Sequence, residues 1–123
     1  MSTQPQPVRN DFETILAITQ HYFDGLHTAD IHKLADIFHP DVVLKAPGLR
    51  RTREQWLALV RSREVPKERG DHYAFKVLSI DIVNDQAMVK VECPLIDQFY
   101  IDYLGFLKED GRWLIVSKMY TAI

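Results

Sequence analysis

The apolar period of this chain changes once, near residue 73, and that change limits the fold more than any other feature. Before it, apolar residues recur at helical spacing; after it, they alternate with a period of two. Helical segments first and strands last is the pattern of an α+β layer fold, in which helices cover one face of a sheet.

The helical half reads as three segments. Asn10 followed by Glu13 is a helix-start signal, since one side chain can cap a free amide while the other reaches back. Phe12, Ile15, Leu16, Thr19, Tyr22, Phe23 and Leu26 then mark one face of a long first helix, with Glu13, Gln20, Asp24 and His27 opposite. Thr28-Ala29-Asp30 interrupts the pattern, and Asp30 can cap a second helix that turns Ile31, Leu34, Ala35 and Phe38 inward. His39-Pro40-Asp41 ends that helix, because the residue before proline avoids helical geometry. Val42-Val43-Leu44 is a short β-prone run, and Pro47-Gly48 turns the chain. Thr52 and Gln55 form a second capping-box signal for a third helix that directs Trp56, Leu57 and Val60 inward. Arg61 to His72 holds four basic and three acidic residues without an apolar period, which predicts a mobile surface loop.

The strand half reads as Tyr73–Ile82, a turn at Val83-Asn84-Asp85, Gln86–Cys93 ending near Pro94, Gln98–Leu107 and Arg112–Thr121. Short connections between consecutive strands imply antiparallel hairpins. Lys108-Glu109-Asp110-Gly111-Arg112 suits a three-residue hairpin loop with Gly111 in the left-handed position. In that register Phe106 meets Leu114, Leu104 meets Val116 and Asp102 meets Lys118. One face then carries Tyr100, Asp102, Leu104, Phe106, Leu114, Val116, Lys118 and Tyr120; the other carries Tyr103, Trp113, Ile115 and Met119. Both faces are largely apolar, whereas a sheet with one wet face alternates cleanly. The second face is therefore the expected homodimer surface, covered by a symmetry mate.

At 123 residues the length suits one domain, placed at residues 10–123 behind a polar lead-in over residues 1–9 that is expected to be disordered. A formal net charge of −2 gives no global field toward nucleic acid or a membrane surface, and no basic stripe with interleaved aromatics suggests a nucleic-acid partner. No apolar run approaches the roughly 20 residues of a membrane span. The lone cysteine, Cys93, excludes an intramolecular disulfide and fits a reducing cytoplasm. Its apolar alternation with Val89 and Val91 suggests a small buried residue rather than a nucleophile. The five histidines show no metal-ligand spacing, so neither a metal nor a cofactor is expected. Arg50-Arg51-Thr52-Arg53, beside a helix start, suits a solvated cap or an anion site.

At the level of motif, His21-Tyr22-Phe23-Asp24-Gly25-Leu26, Asp30, Leu34 and Phe38-His39-Pro40-Asp41 resemble the nuclear transport factor 2-like superfamily. So do Ile101-Asp102-Tyr103-Leu104 and Asp110-Gly111-Arg112-Trp113 with Lys118. Within it the chain is similar to the group labelled putative lumazine-binding, near the SnoaL-like polyketide cyclases. The resemblance covers residues 10 to 123. It implies a cone-shaped, cystatin-like α+β domain: three N-terminal helices packed on a curved antiparallel sheet, enclosing a pocket, with frequent dimers through the outer sheet face.

Ketosteroid isomerase, another member, uses an aspartate base with a tyrosine and a protonated aspartic acid as oxyanion donors, as general accounts of tuned acidity describe. By resemblance the tyrosine falls on Tyr22 and the second aspartate on Asp102, the candidate catalytic residues. The base position, before Pro47-Gly48, holds Ala46, which cannot move a proton; Lys45 should point to the opposite strand face, and Asp97 is the substitute considered.

The candidate ligand-binding residues are Tyr22, Trp56, Phe75, Tyr100, Asp102, Leu104 and Lys118, an apolar aromatic pocket with few polar groups. Tyr22 also suits a core aromatic with a tethered hydroxyl. Asp102 and Lys118 either satisfy each other or meet a polar ligand; a paired Asp102 stays ionised. Three functions are consistent with this: a small-molecule-binding domain, a cofactor-independent isomerase, cyclase or dehydratase acting on a small carbonyl compound, or a non-catalytic dimerisation module.

Overall fold

Helix α1 (Asp11–Thr28) begins where the sequence signals it: the Asn10 side chain accepts a hydrogen bond from the Glu13 amide at 2.8 Å. The computed structural model describes residues 10–123, so the tail expected over residues 1–9 lies outside the described residues. Ile15, Thr19, Tyr22, Phe23 and Leu26 bury the inner face of α1, whereas Phe12, expected on that face, is exposed in the first turn. Asp30 caps α2 (Ile31–Ile37) through the amides of His32 and Lys33. The two helices approach closely because Gly25 faces Leu34; a Cβ there would stand 2.6 Å from Leu34 Cδ2.

Strand β1 (Phe38–Ala46) starts one residue after α2, so buried Phe38 belongs to the strand rather than to the helix. Pro47-Gly48 turns β1 into a four-residue strand, β2 (Leu49–Thr52), which is too short for its alternation to show in the sequence. Thr52 and Gln55 complete a reciprocal capping box on α3 (Arg53–Ser62). The segment expected to be a mobile loop carries a helical turn, α4 (Pro66–Arg69), with Pro66 buried at its start and Gly70 closing it at φ 84°. A single turn has no period to read, but proline at the first position and glycine just past the end are its usual boundaries.

Four strands follow: β3 (Lys76–Val83), β4 (Gln86–Leu95), β5 (Gln98–Glu109) and β6 (Arg112–Ala122). Tyr73 to Phe75 precede β3, and Pro94, expected to end β4, pairs with Phe99 inside the ladder. Among the described residues the strands form one open, curved sheet in the order β2-β1-β6-β5-β4-β3. Its pairs are antiparallel except β1–β6, which is parallel. No helix among the described residues is long and apolar enough to cross a membrane.

The last hairpin departs from the expected register. Asp110 and Gly111 both have positive φ, 52° and 76°, which makes a two-residue turn of the type that matches strand twist. Glu109 therefore pairs with Arg112 and Phe106 with Ile115. A shift then intervenes between Phe106 and Gly105, after which Gly105 pairs with Ser117 and Leu104 with Lys118. Val116 is the extra residue, and such a bulge flips the alternation of the strand that carries it. Trp113 and Ile115 consequently lie on the inner face, 3% and 0% exposed, and cannot form the dimer surface expected of them. Tyr103 and Met119, beyond the bulge, stay on the outer face, 41% and 46% exposed.

The bulge makes a direct prediction. Trp113→Ala should lower the unfolding free energy by about 3–5 kcal/mol, the usual cost of emptying a buried tryptophan site. Thr121→Ala, at an exposed position of the same strand, should change it by less than about 0.5 kcal/mol, as for exposed positions generally. Urea unfolding of both variants checks this; comparable losses would contradict the bulged register.

Candidate functional site

The bulge that sends Trp113 inward also sets the floor of a cavity. Beyond it, residues of even number on β5 and β6 face the helices: Asp102 pairs with Tyr120 and Leu104 with Lys118. Asp102 and Lys118 are thus diagonal neighbours rather than directly opposite. The cavity holds about 280 Å³ between α1, α3 and the concave sheet, with β2 on its rim. Leu26, Leu49, Leu59 and Leu95 give it apolar walls; Trp56, Tyr100 and Tyr120 give it aromatic ones.

Tyr22, fully buried at the centre of α1's inner face, donates to Asp102 Oδ2 at 2.7 Å. Burial, reinforced by the Asp102 charge, pushes the Tyr22 phenol well above its ordinary range, so the phenol is a neutral donor. Lys118 makes no ion pair among the described residues. Its Nζ lies 4.4 Å from the Trp56 ring centre, 5.2 Å from that of Tyr120 and 5.3 Å from that of Tyr22, where ring faces attract a cation. Burial nevertheless lowers the Lys118 pKa; Asp102 opposes this, while Arg63 and Arg51 add repulsion.

Two arginines complete the polar lining. Arg51 reaches in from β2 and donates from Nη1 to the Tyr120 hydroxyl at 2.8 Å. Arg63 caps the C-terminus of α3, and its buried Nη2 has no hydrogen-bond partner among the described residues. Burial lowers the Arg63 pKa, with Tyr22, Tyr100 and Asp102 acting in the opposite sense. Cys93 also borders the cavity, but burial first and the Asp102 charge second push its thiol upward, leaving a protonated and unreactive group.

Of the residues expected at the site, Tyr22, Trp56, Tyr100, Asp102 and Lys118 do meet around this cavity. Leu104 is fully buried and does not line it, and Phe75 lies in a separate surface cleft, stacked on Phe23 at 5.2 Å. Ala46 borders another groove with Lys45 and Pro47. Asp97, the substitute base, sits in the β4–β5 turn with its side chain 80% exposed and paired to Arg69 at 2.7 Å. Sequence reasoning placed Arg51 only in the basic cluster Arg50-Arg51-Thr52-Arg53, as a solvated cap or an anion site, and missed Arg63. Alternation along β2 would have separated Arg51 from Arg50, which folds back on the Ala46 and Leu49 carbonyls; nothing local marks Arg63. Among the described residues no three histidine, cysteine or acidic side chains are grouped to hold a metal ion.

The family model described as "Putative lumazine-binding" matches residues 10–121. No curated protein matches the chain. Solved structures share its fold. A nuclear transport factor 2-like (NTF2-like) protein of unknown function from Silicibacter pomeroyi DSS-3 is 23% identical over 91% of this chain and 95% of its own, with a TM-score of 0.73. One from Shewanella baltica OS155, also of unknown function, is 18% identical over 92% and 94%, with a TM-score of 0.78. An NTF2-like protein from Cytophaga hutchinsonii ATCC 33406 is 20% identical over 94% and 100%, with a TM-score of 0.72. At these identities the likeness concerns the fold.

Lys118 predicts a pH dependence. Its pKa is lowered in the folded chain and returns to the ordinary 10.5 on unfolding. Between those values the unfolded chain binds more protons, so this group makes stability rise with pH there; below the folded value its cost is fully present. Lys118→Met should remove that alkaline rise and stabilise the protein at pH 7 by on the order of 1 kcal/mol, as apolar replacement of buried charge often does. Urea unfolding of both proteins at pH 7 and 9.5 tests it; equal pH slopes would refute it.

Proposed function

The chain belongs to the putative lumazine-binding family of NTF2-like proteins, and from that membership we propose that it is a small-molecule-binding domain whose ligand occupies the cavity above Tyr22, Asp102 and Lys118. The observation that carries this reading is the cavity itself: apolar and aromatic walls around a few convergent polar groups are the usual form of a small-molecule site. A volume of about 280 Å³ suits a compact ligand, and Trp56, Tyr100 and Tyr120 offer ring faces on which a flat, carbonyl-bearing compound can stack. A dimerisation module without a ligand would have no need of this space.

The arrangement favours binding over steroid-type isomerisation. That reaction asks Tyr22 and Asp102 to donate side by side to one developing oxyanion. Here Tyr22 directs its proton to Asp102, and Ala46 lies outside the cavity. In a thermal-shift screen of flat carbonyl compounds, lumazine included, a ligand of this cavity should raise the melting temperature. Tyr22→Phe and Asp102→Asn should each weaken it at least tenfold by titration calorimetry, about 1.4 kcal/mol. Unchanged affinity in both variants would remove the ligand from this site.

We also propose that the outer sheet face meets a second copy of the chain. Met88, Tyr103 and Met119 are exposed there on adjacent strands, and apolar residues clustered on one face mark interaction surfaces more than single ones do. Light scattering at micromolar concentration should give twice the chain mass of 14.3 kDa, and Met119→Glu should return the monomer. A monomeric wild type would refute this surface.

A further inference from the structure

The cavity's charges do not balance. Arg51, Arg63 and Lys118 bring three cations to its lining, against the single acid Asp102. Each is placed differently. Arg51 is occupied by the Tyr120 hydroxyl. Lys118 has ring faces around it but no anion within ion-pair distance among the described residues. Arg63 buries Nη2 without a hydrogen-bond acceptor among the described residues. Asp102 already accepts from Tyr22 at 2.7 Å.

Buried cations are costly unless paired and hydrogen-bonded. A guanidinium presents a fork of donors that matches the two oxygens of a carboxylate. From this juxtaposition we propose that the ligand is a small planar organic anion, a carboxylate attached to an aromatic or conjugated ring. Its carboxylate meets Arg63 and Lys118, and its ring lies among Trp56, Tyr100 and Tyr120. Asp102 keeps acceptor capacity for a hydroxyl or N–H on the same ring. Aromatic walls and leucines fit a conjugated body and offer nothing to a bare inorganic ion. This inference rests on the reading of the cavity as a ligand site and adds the charge and shape of what fills it.

Placement of Arg63 supports this further. Arg69 pairs with Glu64, Asp71 and Asp97, tying the short helix α4 to the β4–β5 turn. The acids nearest Arg63 in sequence are thereby drawn outward, and Glu64, in the next position, is with Arg69 rather than with Arg63. The fold thus leaves a cation at the cavity without its obvious partner.

The test pairs aromatic carboxylates with their neutral carboxamides, for instance 4-hydroxybenzoate with 4-hydroxybenzamide and cinnamate with cinnamamide, alongside inorganic phosphate. Titration calorimetry should show at least one acid bound tenfold or more tighter than its amide, with phosphate bound more weakly than that acid. Arg63→Met should abolish the difference while raising the melting temperature of the ligand-free protein, because it removes an unpaired buried cation. A variant that loses both stability and binding would contradict the proposal, and Arg63→Lys, which keeps the charge, should retain part of the preference for the acid. Amides bound as tightly as acids, or acids bound equally by Arg63→Met, would overturn the anion inference and leave the ligand site standing. Phosphate bound more tightly than every acid would overturn the organic ligand. Failure of acids, amides and the wider carbonyl panel alike would instead overturn the binding function.

Discussion

One extra residue in β6 decides which side chains this fold can use. Trp113 and Ile115 have odd numbers, Lys118 and Tyr120 even ones, and an unbroken strand cannot turn both sets to the same side. The shift at Val116 does so. Phe38 pairs with Ile115 and Val43 with Ser117, so β1 carries an irregularity at the same level, and Pro40 falls inside it. A proline that cannot donate to a ladder is tolerated at such a place. The two irregularities separate a closely packed half, where Trp113 donates to Asp11 at 2.9 Å under α1, from a half that holds the cavity.

Within the cavity half, polarity is concentrated on residues that the fold has isolated from water. Tyr22 bridges α1 to β5 through its hydrogen bond to Asp102 and thereby fixes the helix over the sheet where the core gives way to open space. A buried hydrogen bond to an ionised acceptor contributes about 1.5–3 kcal/mol. That contribution offsets part of the cost of burying Asp102, and the rings around Lys118 offset part of the cost of its ammonium. Arg63 has neither form of compensation. Natural proteins depart from polar satisfaction chiefly where function requires it, so the uncompensated arginine says more about function than the satisfied pair does.

The sequence made the layers legible because α1 and the four long strands each repeat their period several times. Asn10, Asp30 and Thr52 placed the starts of α1, α2 and α3, since each cap acts through a local side chain. Elements shorter than their own period were hidden: β2 has four residues and α4 has four. Arg51 lies in β2, and Arg63 is the cap of α3, where the helical period has already ended. The hairpin error had a different origin. Asp110-Gly111 is the stronger signal for a two-residue turn, and reading three residues moved every partner by one. The correct turn alone would still have left Lys118 on the wrong face, because the bulge accompanies packing beyond the strand, of Trp113 on Asp11 and of Lys118 on Tyr22 and Trp56.

Resemblance and geometry give different parts of the account of Asp102. Its position in the strand matches that of an oxyanion donor, a role that needs a protonated carboxyl. Its surroundings differ: the neutral phenol of Tyr22 donates to it at 2.7 Å. The same strand position therefore presents an acceptor here. The charges at this cavity come from β2 and from the end of α3 as well as from β5 and β6. A shared fold therefore carries little information about the ligand.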